Sequence, residues 1–338
     1  MTNRYLKVTD IEQKIVSLLA GLKLEIIQVF VNERGGYIYS HNGRLTKTYG
    51  HHYYIAKVSD GQQLAVIKAR IDLPSDPSDV FARQKNFANE QLLYSIAGKS
   101  LPFVPGYLSH GQDEGISWLL YRYVEGKAMG NTFLAEPTPH TMLPLTRQVS
   151  IFRATEKPAN LNLKNRDSQF YREHLKAVLK YHAASISMYL PQKTQERILE
   201  LNHQNQGTLD RFCTSLSHGD LHPGNIIIND DRVSLIDWET IHIDNYVADT
   251  AFLWLRLWNM PNWRNALAHS LFSDFPADET AELFRYIVLH NLIDEFAFWR
   301  AVQLENNLEN PYTSVADAAL KIHQQTLHAA LENKRFWE

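Results

Sequence analysis

The hydrophobic pattern of the chain changes character once, near residue 124. Before this point, short runs of β-branched and aromatic residues are separated by turns, and Asn42-Gly43 and Asp60-Gly61 favour tight hairpins because these residues tolerate positive φ. After about Phe170 the long periodic segments are typical of helices. The pattern therefore predicts an α+β fold, in which a small lobe with an antiparallel β-sheet precedes a larger α-rich lobe.

The same pattern predicts individual strands and helices. The strands are Tyr37–Ser40, Arg44–Tyr49, Tyr53–Val58, Leu64–Arg70 and Trp118–Val124. The helices are Val8–Leu24, Val80–Ala97, Phe170–Tyr189, Glu279–Glu305 and Ser314–Asn333.

The length of the chain, 338 residues, suggests two domains or two lobes that share one site. We place the first at 1–125 and the second at 126–338, since a polar stretch containing glycine, 126–131, follows the last predicted strand.

Composition excludes several functional classes. The formal net charge is −3, which offers no general attraction for nucleic acid or for an anionic membrane surface. No apolar stretch reaches 18 residues, so membrane insertion is not expected. The single cysteine, Cys213, can form neither a disulfide nor a four-cysteine zinc site within one chain. We therefore expect a cytoplasmic protein, and its oligomeric state stays open.

The densest polar cluster is Ser-His-Gly-Asp-Leu-His-Pro-Gly-Asn at 217–225. Two short apolar runs follow it around an Asn-Asp-Asp turn, and this predicts a hairpin with Asn225 before its first strand and Asp237 after its second. Amide and carboxylate oxygens on adjacent strand ends suit Mg²⁺. Asp220 would lie in the loop that faces this metal, where its carboxylate could accept a proton from an attacking hydroxyl.

The spacing His-x-Asp-(x)4-Asn followed by Ile-Asp-x-Glu resembles the catalytic and metal-binding segments of the aminoglycoside phosphotransferase and choline kinase family. These enzymes are small-molecule relatives of the protein kinases. The resemblance covers about residues 44–257 and implies a two-lobed, protein-kinase-like fold. It also implies that ATP, or alternatively GTP, donates its γ-phosphate to a hydroxyl of a small molecule.

The same resemblance assigns further residues by their order along the chain. Lys68, in Ala-Val-Ile-Lys, would contact the α- and β-phosphates, and Glu90 in the following helix would hold it. The segment 119–126 would be the hinge, where backbone groups near Arg122 and Val124 would bind adenine. Asn225 and Asp237 would hold Mg²⁺, and Asp220 would be the catalytic base.

Departures from the protein-kinase pattern favour a small acceptor over a polypeptide. No glycine-rich loop precedes Lys68, and Gly219 stands where protein kinases have an arginine. Asp249 follows Asp237 by only twelve positions, which leaves little room for a peptide-docking segment. Asp249 resembles the family's structural aspartate that braces the catalytic loop, and Glu239 is a candidate to assist at the metal or the acceptor.

Several alternatives stay open at this point. A kinase acting on polypeptides, a nucleotide-binding pseudokinase and a metal-dependent hydrolase are the competing functions. His218 and His222 are interpreted as loop residues in preference to zinc ligands, and His51-His52 as turn residues or a phosphate contact. A second set of acidic and aromatic residues suits a cationic acceptor, although their helical spacing is also typical of a core. These residues are Trp254, Trp258, Asp294, Glu295, Phe298 and Trp299.

Overall fold

The computed structural model describes residues 8–30, 38–39, 45–46, 51–72, 86–97, 101–113, 115–129, 145–146, 149, 152, 155, 161–230, 232–275, 277–305, 313–332 and 335–337. The chain divides into two compact units, Met1–Val124 and Glu125–Glu338. Within the described ranges, no helix combines the length and the apolar character that a membrane span requires.

The first unit is organised around a five-stranded antiparallel sheet. Its elements are α1 (Val8–Gly21), β1 (Glu25–Val29), β2 (Ile38–Tyr39), β3 (Leu45–Thr46), β4 (His51–Ser59), β5 (Leu64–Asp72), α2 (Phe87–Ala97), β6 (Tyr107–Asp113) and β7 (Ile116–Arg122). The strand order is β1-β4-β5-β7-β6, so that β5 is central. β2 and β3 pair only with each other among the described strands.

The turn between β4 and β5 confirms the predicted Asp60-Gly61 hairpin. The Asp60 carboxylate accepts hydrogen bonds from the backbone N–H groups of Gln62 and Gln63, both at 2.9 Å. Gly61 has a φ of +87°, a conformation that glycine adopts without strain. The predicted turn at Asn42-Gly43 lies outside the described residues.

Helix α1 ends earlier than the hydrophobic pattern predicts. Lys23 has a φ of +55°, and its N–H donates to the Ala20 carbonyl while the Leu24 N–H donates to the Leu19 carbonyl. This pair of bonds is a Schellman motif, which terminates a helix by satisfying its last carbonyl groups. Lysine occupies the position usually taken by glycine, so the sequence gives no stop signal there.

Helix α2 packs on the sheet through its buried face. The Gln91 side-chain amide donates to the Trp118 carbonyl at 2.8 Å, and the Tyr94 ring lies 5.0 Å from the Tyr121 ring. The helix begins at Phe87, whereas the predicted helix begins at Val80, and residues 80–85 lie outside the described ranges.

The second unit is mainly helical. Its elements are β8 (Lys127–Ala128), α3 (Ser168–Ile186), α4 (Gln192–Gln204), α5 (Gln206–Phe212), β9 (Ser215–Ser217), a 3₁₀ turn (Pro223–Asn225), β10 (Ile226–Asn229), β11 (Arg232–Leu235), β12 (His242–Asp244), α6 (Ala248–Arg256), α7 (Pro261–Asp274), α8 (Ala277–Glu305), a second 3₁₀ turn (Thr313–Val315) and α9 (Ala316–Glu332). Strands β11, β10 and β8 form one small sheet, and β12 pairs with β9.

Helix α8 forms the centre of this unit. Leu283, Phe284, Tyr286, Val288 and Leu289 are each at most 1% exposed. At 100° per residue these positions are distributed around most of the circumference, which is typical of a helix surrounded by other elements. α8 packs against α3, α6, α7 and α9. The predicted helices at Phe170–Tyr189, Glu279–Glu305 and Ser314–Asn333 are confirmed within three residues at their described ends.

Candidate active site

Lys68 lies in the middle of β5, paired with Ile55 on one side and Leu119 on the other. Its ammonium group is 2.7 Å from Oε2 of Glu90, in the first turn of α2. The two side chains are 2% and 0% exposed. A buried ammonium needs such a partner because burial without one is very costly. The structure therefore brings together the two residues that the sequence paired.

Arg122 and Val124 lie at and just beyond the end of β7. The backbone N–H of Arg122 already donates to the Gly106 carbonyl at 2.7 Å, and that of Tyr123 donates to the Leu64 carbonyl at 3.1 Å. Among the described residues, the backbone N–H of Val124 has no backbone acceptor. The group that this segment offers to a ligand is thus the Val124 N–H, and the Arg122 N–H is not available.

In the second unit, Asn225 connects the candidate catalytic loop, residues 218–224, to the hairpin that follows it. Its side-chain amide nitrogen donates to the backbone carbonyl of Asp220 at 2.9 Å. The backbone carbonyl of Asn225 accepts a hydrogen bond from the N–H of Ile236, the residue before Asp237, at 3.0 Å. Because the nitrogen of the amide is engaged, its oxygen points away from this bond and can act as a ligand. The structure therefore gathers Asp220, Asn225 and Asp237 around one hairpin, β10–β11.

Asp237 occupies the left-handed region, with a φ of +67°, although it is not a glycine. Strained backbone of this kind is concentrated at functional sites. A carboxylate oxygen of Asp237 lies within 4.8 Å of one of Glu239, which is itself buried. Together with the Asn225 amide oxygen, these are hard oxygen donors of the kind that Mg²⁺ prefers, so this donor set fits the metal that the sequence implies.

His218 supports the loop from within. Its Nδ1 accepts from the Asp220 N–H at 3.3 Å, so Nε2 carries the ring proton and donates to the Ile236 carbonyl at 2.9 Å. The ring lies 4.4 Å from that of Trp238. Both nitrogens are engaged, which excludes a zinc-ligand role for His218 in this arrangement and supports the loop interpretation.

Asp249, at the start of α6, holds the backbone that precedes Asp220. Its carboxylate accepts hydrogen bonds from Ser217 Oγ at 3.0 Å, from the His218 N–H at 2.8 Å and from the Gly219 N–H at 2.9 Å. All three donors lie at the end of β9. The contacts are those of a bracing residue, in agreement with the sequence interpretation.

A second group of polar residues, behind the loop, was not identified from the sequence. Thr240 Oγ1 donates to the His218 carbonyl at 2.8 Å, and the His242 ring bridges the Thr240 carbonyl at 2.6 Å and the Asp244 carboxylate at 3.0 Å. Tyr171 also donates to Asp244 at 2.8 Å. The available signal was the alternation Ile-His-Ile-Asp at 241–244, a short strand in which polar residues are buried.

Gly219 is in close contact with this group. It has a φ of +79°, and a Cβ at this position would lie 2.5 Å from Cε1 of His242. The absence of a side chain at residue 219 is therefore required both by the backbone conformation and by the neighbouring ring.

His222 lies two residues after Asp220. Its Nδ1 accepts from the Gly224 N–H at 3.0 Å, and its Nε2 lies 3.9 Å from Asp220 Oδ2. Burial lowers the pKa of His222 below its ordinary value, against the opposing effect of Asp220, and the positive charge of Arg256 lowers it further. The imidazole is thus held neutral at neutral pH beside the carboxylate.

The structure bears on two sets of residues whose roles the sequence left open. His51 and His52 do not lie in a turn but begin β4, paired with Asp72 and Ile71. Of the acidic and aromatic set proposed to suit a cationic acceptor, Trp254, Trp258, Glu295 and Trp299 are buried core residues. Asp294 is paired with His174, whose Nε2 is 2.9 Å from both carboxylate oxygens. Core packing therefore explains their spacing.

Comparison with known proteins identifies the class. The sequence model of the phosphotransferase enzyme family matches residues 70–284, more than half of the chain. The chain therefore belongs to this family and is a phosphotransferase. The matched range includes Glu90, Asp220, Asn225 and Asp237 and begins just after Lys68. A search of curated sequences gives no significant match.

Solved structures support the same fold at low sequence identity. Spectinomycin phosphotransferase bound to AMP has a TM-score of 0.56 and 16% identity, over 92% of this chain and 97% of that chain. Choline kinase from Streptococcus pneumoniae has a TM-score of 0.51 and 13% identity, over 92% and 99%. Aminoglycoside-3'-phosphotransferase of type VIII has a TM-score of 0.51 and 17% identity, over 84% and 98%. The predicted α+β, protein-kinase-like fold is confirmed.

Proposed function

We propose that the protein transfers the γ-phosphate of ATP to a hydroxyl group of a small molecule. The observation that carries the proposal is the bond from the Asn225 side-chain amide to the Asp220 backbone carbonyl, which holds together the two residues that would supply the base and a metal ligand. Bound nucleotide in the spectinomycin phosphotransferase structure supports a nucleotide as donor. GTP is the alternative donor, which a nucleotide titration distinguishes.

The first unit would bind the nucleotide. The Lys68 ammonium, kept charged and aimed by Glu90, suits the α- and β-phosphates. The Val124 N–H suits a ring nitrogen of adenine, and the Arg122 carbonyl suits its exocyclic amine.

The second unit would carry the transfer. Asp220 would accept the proton of the attacking hydroxyl and orient its oxygen towards phosphorus. Asn225 and Asp237 would hold Mg²⁺, which supplies charge neutralisation at the phosphates when bound. The transition state of such transfers is loose, so positioning by the braced loop matters more than the basicity of Asp220.

The segment after Asp237 favours a small acceptor. All residues from Trp238 to Ala251 are buried, and they form β12 and the beginning of α6. A polypeptide acceptor would need an accessible segment here on which to dock. The spectinomycin and choline enzymes named above act on small molecules, as their names state, which supports the same interpretation.

The direct test is Asp220→Asn with ATP, Mg²⁺ and a library of hydroxylated metabolites and antibiotics. We expect the variant to lose transfer, measured as ADP release, and to retain nucleotide binding, measured as thermal shift. Asp230→Asn is the matched control, because Asp230 is exposed in the β10–β11 turn and asparagine tolerates its φ of +49°. Undiminished transfer by Asp220→Asn would refute its role as the base.

Asp237→Ala tests the metal site. We expect it to lose the part of the nucleotide affinity that depends on Mg²⁺ and to keep the part measured in EDTA. If the parent protein binds nucleotide equally well with and without Mg²⁺, the assignment of Asn225 and Asp237 fails.

A further inference from the structure

Helix α6 connects the catalytic loop to an arginine at its far end. Asp249, Phe252 and Arg256 are spaced by three and four residues, so they share one face of the helix. Asp249 braces the loop, and Phe252 lines a small polar cavity together with Ser217 and Gly219. Arg256 is the last residue of this face.

The guanidinium of Arg256 is fixed on three sides. Its Nε is 2.9 Å from Oε1 of Glu295, and its Cζ lies 5.0 Å and 5.2 Å from the ring centroids of Phe252 and Phe298. Glu295 is held in turn by the Trp299 indole N–H at 3.0 Å. A buried carboxylate and two aromatic rings thus fix the orientation of Arg256.

The outer edge of this guanidinium remains available. In the part of the chain that the structure describes, its two terminal nitrogens have no hydrogen-bond acceptor, and the side chain is 16% exposed. The positive charge of Arg256 also contributes, after burial, to the lowered pKa of His222 in the catalytic loop. A planar, pre-oriented guanidinium edge is the geometry that binds a carboxylate or a phosphate in bidentate fashion.

The acidic groups on α6 and within residues 290–300 of α8 are already engaged within the protein. Asp249 binds the loop backbone, Asp294 pairs with His174, and Glu295 pairs with Arg256. A cationic acceptor would have to compete for these carboxylates, whereas an anionic one meets a positive charge that retains two donor groups. The local charge therefore favours an acidic ligand.

We infer that the acceptor of this enzyme is a hydroxylated acid, whose oxyanion binds the outer edge of Arg256 while its hydroxyl faces Asp220. This inference rests on the proposed phosphotransfer. In the reaction, the hydroxyl oxygen forms a bond to the γ-phosphorus, and the bond from that phosphorus to the β–γ bridging oxygen breaks. The hydroxyl proton passes to Asp220 and ADP leaves, so the acid group itself is unchanged.

The test measures binding apart from turnover. The full-length protein, saturated with ADP and Mg²⁺, is titrated by calorimetry with gluconate, glycerol 3-phosphate, sorbitol and glucosamine. We expect gluconate or glycerol 3-phosphate to bind at least tenfold more tightly than sorbitol and glucosamine, and the comparison of the first two distinguishes a carboxylate from a phosphate. If neither anion binds more tightly than the neutral and cationic probes, the inference is overturned.

Variants of Arg256 localise the effect. Arg256→Gln is expected to remove the preference for the anion, and Arg256→Lys to retain part of it because the charge remains. Arg197→Gln, on an exposed arginine that pairs with Glu200, is the control and should bind as the parent does. Anion binding that is unchanged in Arg256→Gln refutes the assignment. If the parent protein shows no nucleotide-dependent turnover with any acceptor, the proposed function is refuted instead. Failure of the inference and failure of the proposed function are therefore distinguishable.

Discussion

Replacement of Asp249 by asparagine tests whether the catalytic loop depends on a single carboxylate. In the parent, one oxygen accepts from Ser217 Oγ and the Gly219 N–H, and the other accepts from the His218 N–H. The single oxygen of asparagine can accept the hydrogen bonds of only one carboxylate oxygen. The NH2 group then takes the place of the other oxygen and faces an N–H donor. Loss of one charge-assisted bond and burial of an unsatisfied N–H together cost about 3 kcal/mol.

For a unit of roughly 200 residues, that loss lowers Tm by about 6–12 °C, which scanning calorimetry detects readily. We also expect turnover to fall by about 100-fold, since a displacement of Asp220 by ~1 Å is enough to misalign the reacting groups. Asp278→Asn, at a fully exposed carboxylate in the first turn of α8, is the control and should change Tm by less than ~2 °C. A Tm for Asp249→Asn equal to that of the parent would show that the loop is held by other contacts.

Three further predictions concern stability. Gly219→Ala places a Cβ 2.5 Å from Cε1 of His242 at a φ of +79°. We therefore expect the free energy of unfolding, measured by chemical denaturation, to fall by about 3 kcal/mol. An unchanged denaturation midpoint would contradict the close contact. Burial lowers the pKa of His290 to about 4. Unfolding therefore takes up a proton between pH 6.5 and 4, and stability falls by up to about 3 kcal/mol as the pH decreases through this range. His290→Gln should flatten the decline of Tm from pH 7 to 4.5, and parallel curves for parent and variant would refute this origin. Glu90→Gln removes the carboxylate that pairs with the buried ammonium of Lys68, and it should lower the free energy of unfolding by about 3 kcal/mol. The double variant that adds Lys68→Met should recover part of this loss. If it recovers none, the ion pair is not the cause of the loss.

Local signals in the sequence were sufficient where they are strong. The apolar runs around the Asn-Asp-Asp turn predicted the β10–β11 hairpin, and the periodic segments predicted α3, α8 and α9. By contrast, β1 and β6 were missed. β1 is mostly exposed, so it shows no alternation of buried and exposed positions. β6 is an edge strand without a continuous buried face, and its sequence, Tyr-Leu-Ser-His-Gly-Gln-Asp, resembles a loop.

The sequence was less informative about residues whose role depends on distant partners. The spacing of Trp254, Trp258 and Trp299 is the same for a core as for a ligand site, and only their burial decides between the two. Likewise, the contact of His242 with Gly219 joins a strand to a loop, and no short-range pattern encodes it. The sequence motif was enough to predict the position of the loop, whereas the residues that pack behind it could be identified only from the structure.

The single hydrogen bond from Asn225 to Asp220 has a thermodynamic consequence. An amide is polarised along its O–C–N axis, so a cation drawn to the oxygen makes the nitrogen a stronger donor to the Asp220 carbonyl. Cation occupancy and loop order would then reinforce each other by the same free energy in both directions. If Asn225 binds the metal as proposed, it would couple the two events through its two ends, a property that neither aspartate, which lacks the donor, nor alanine can supply.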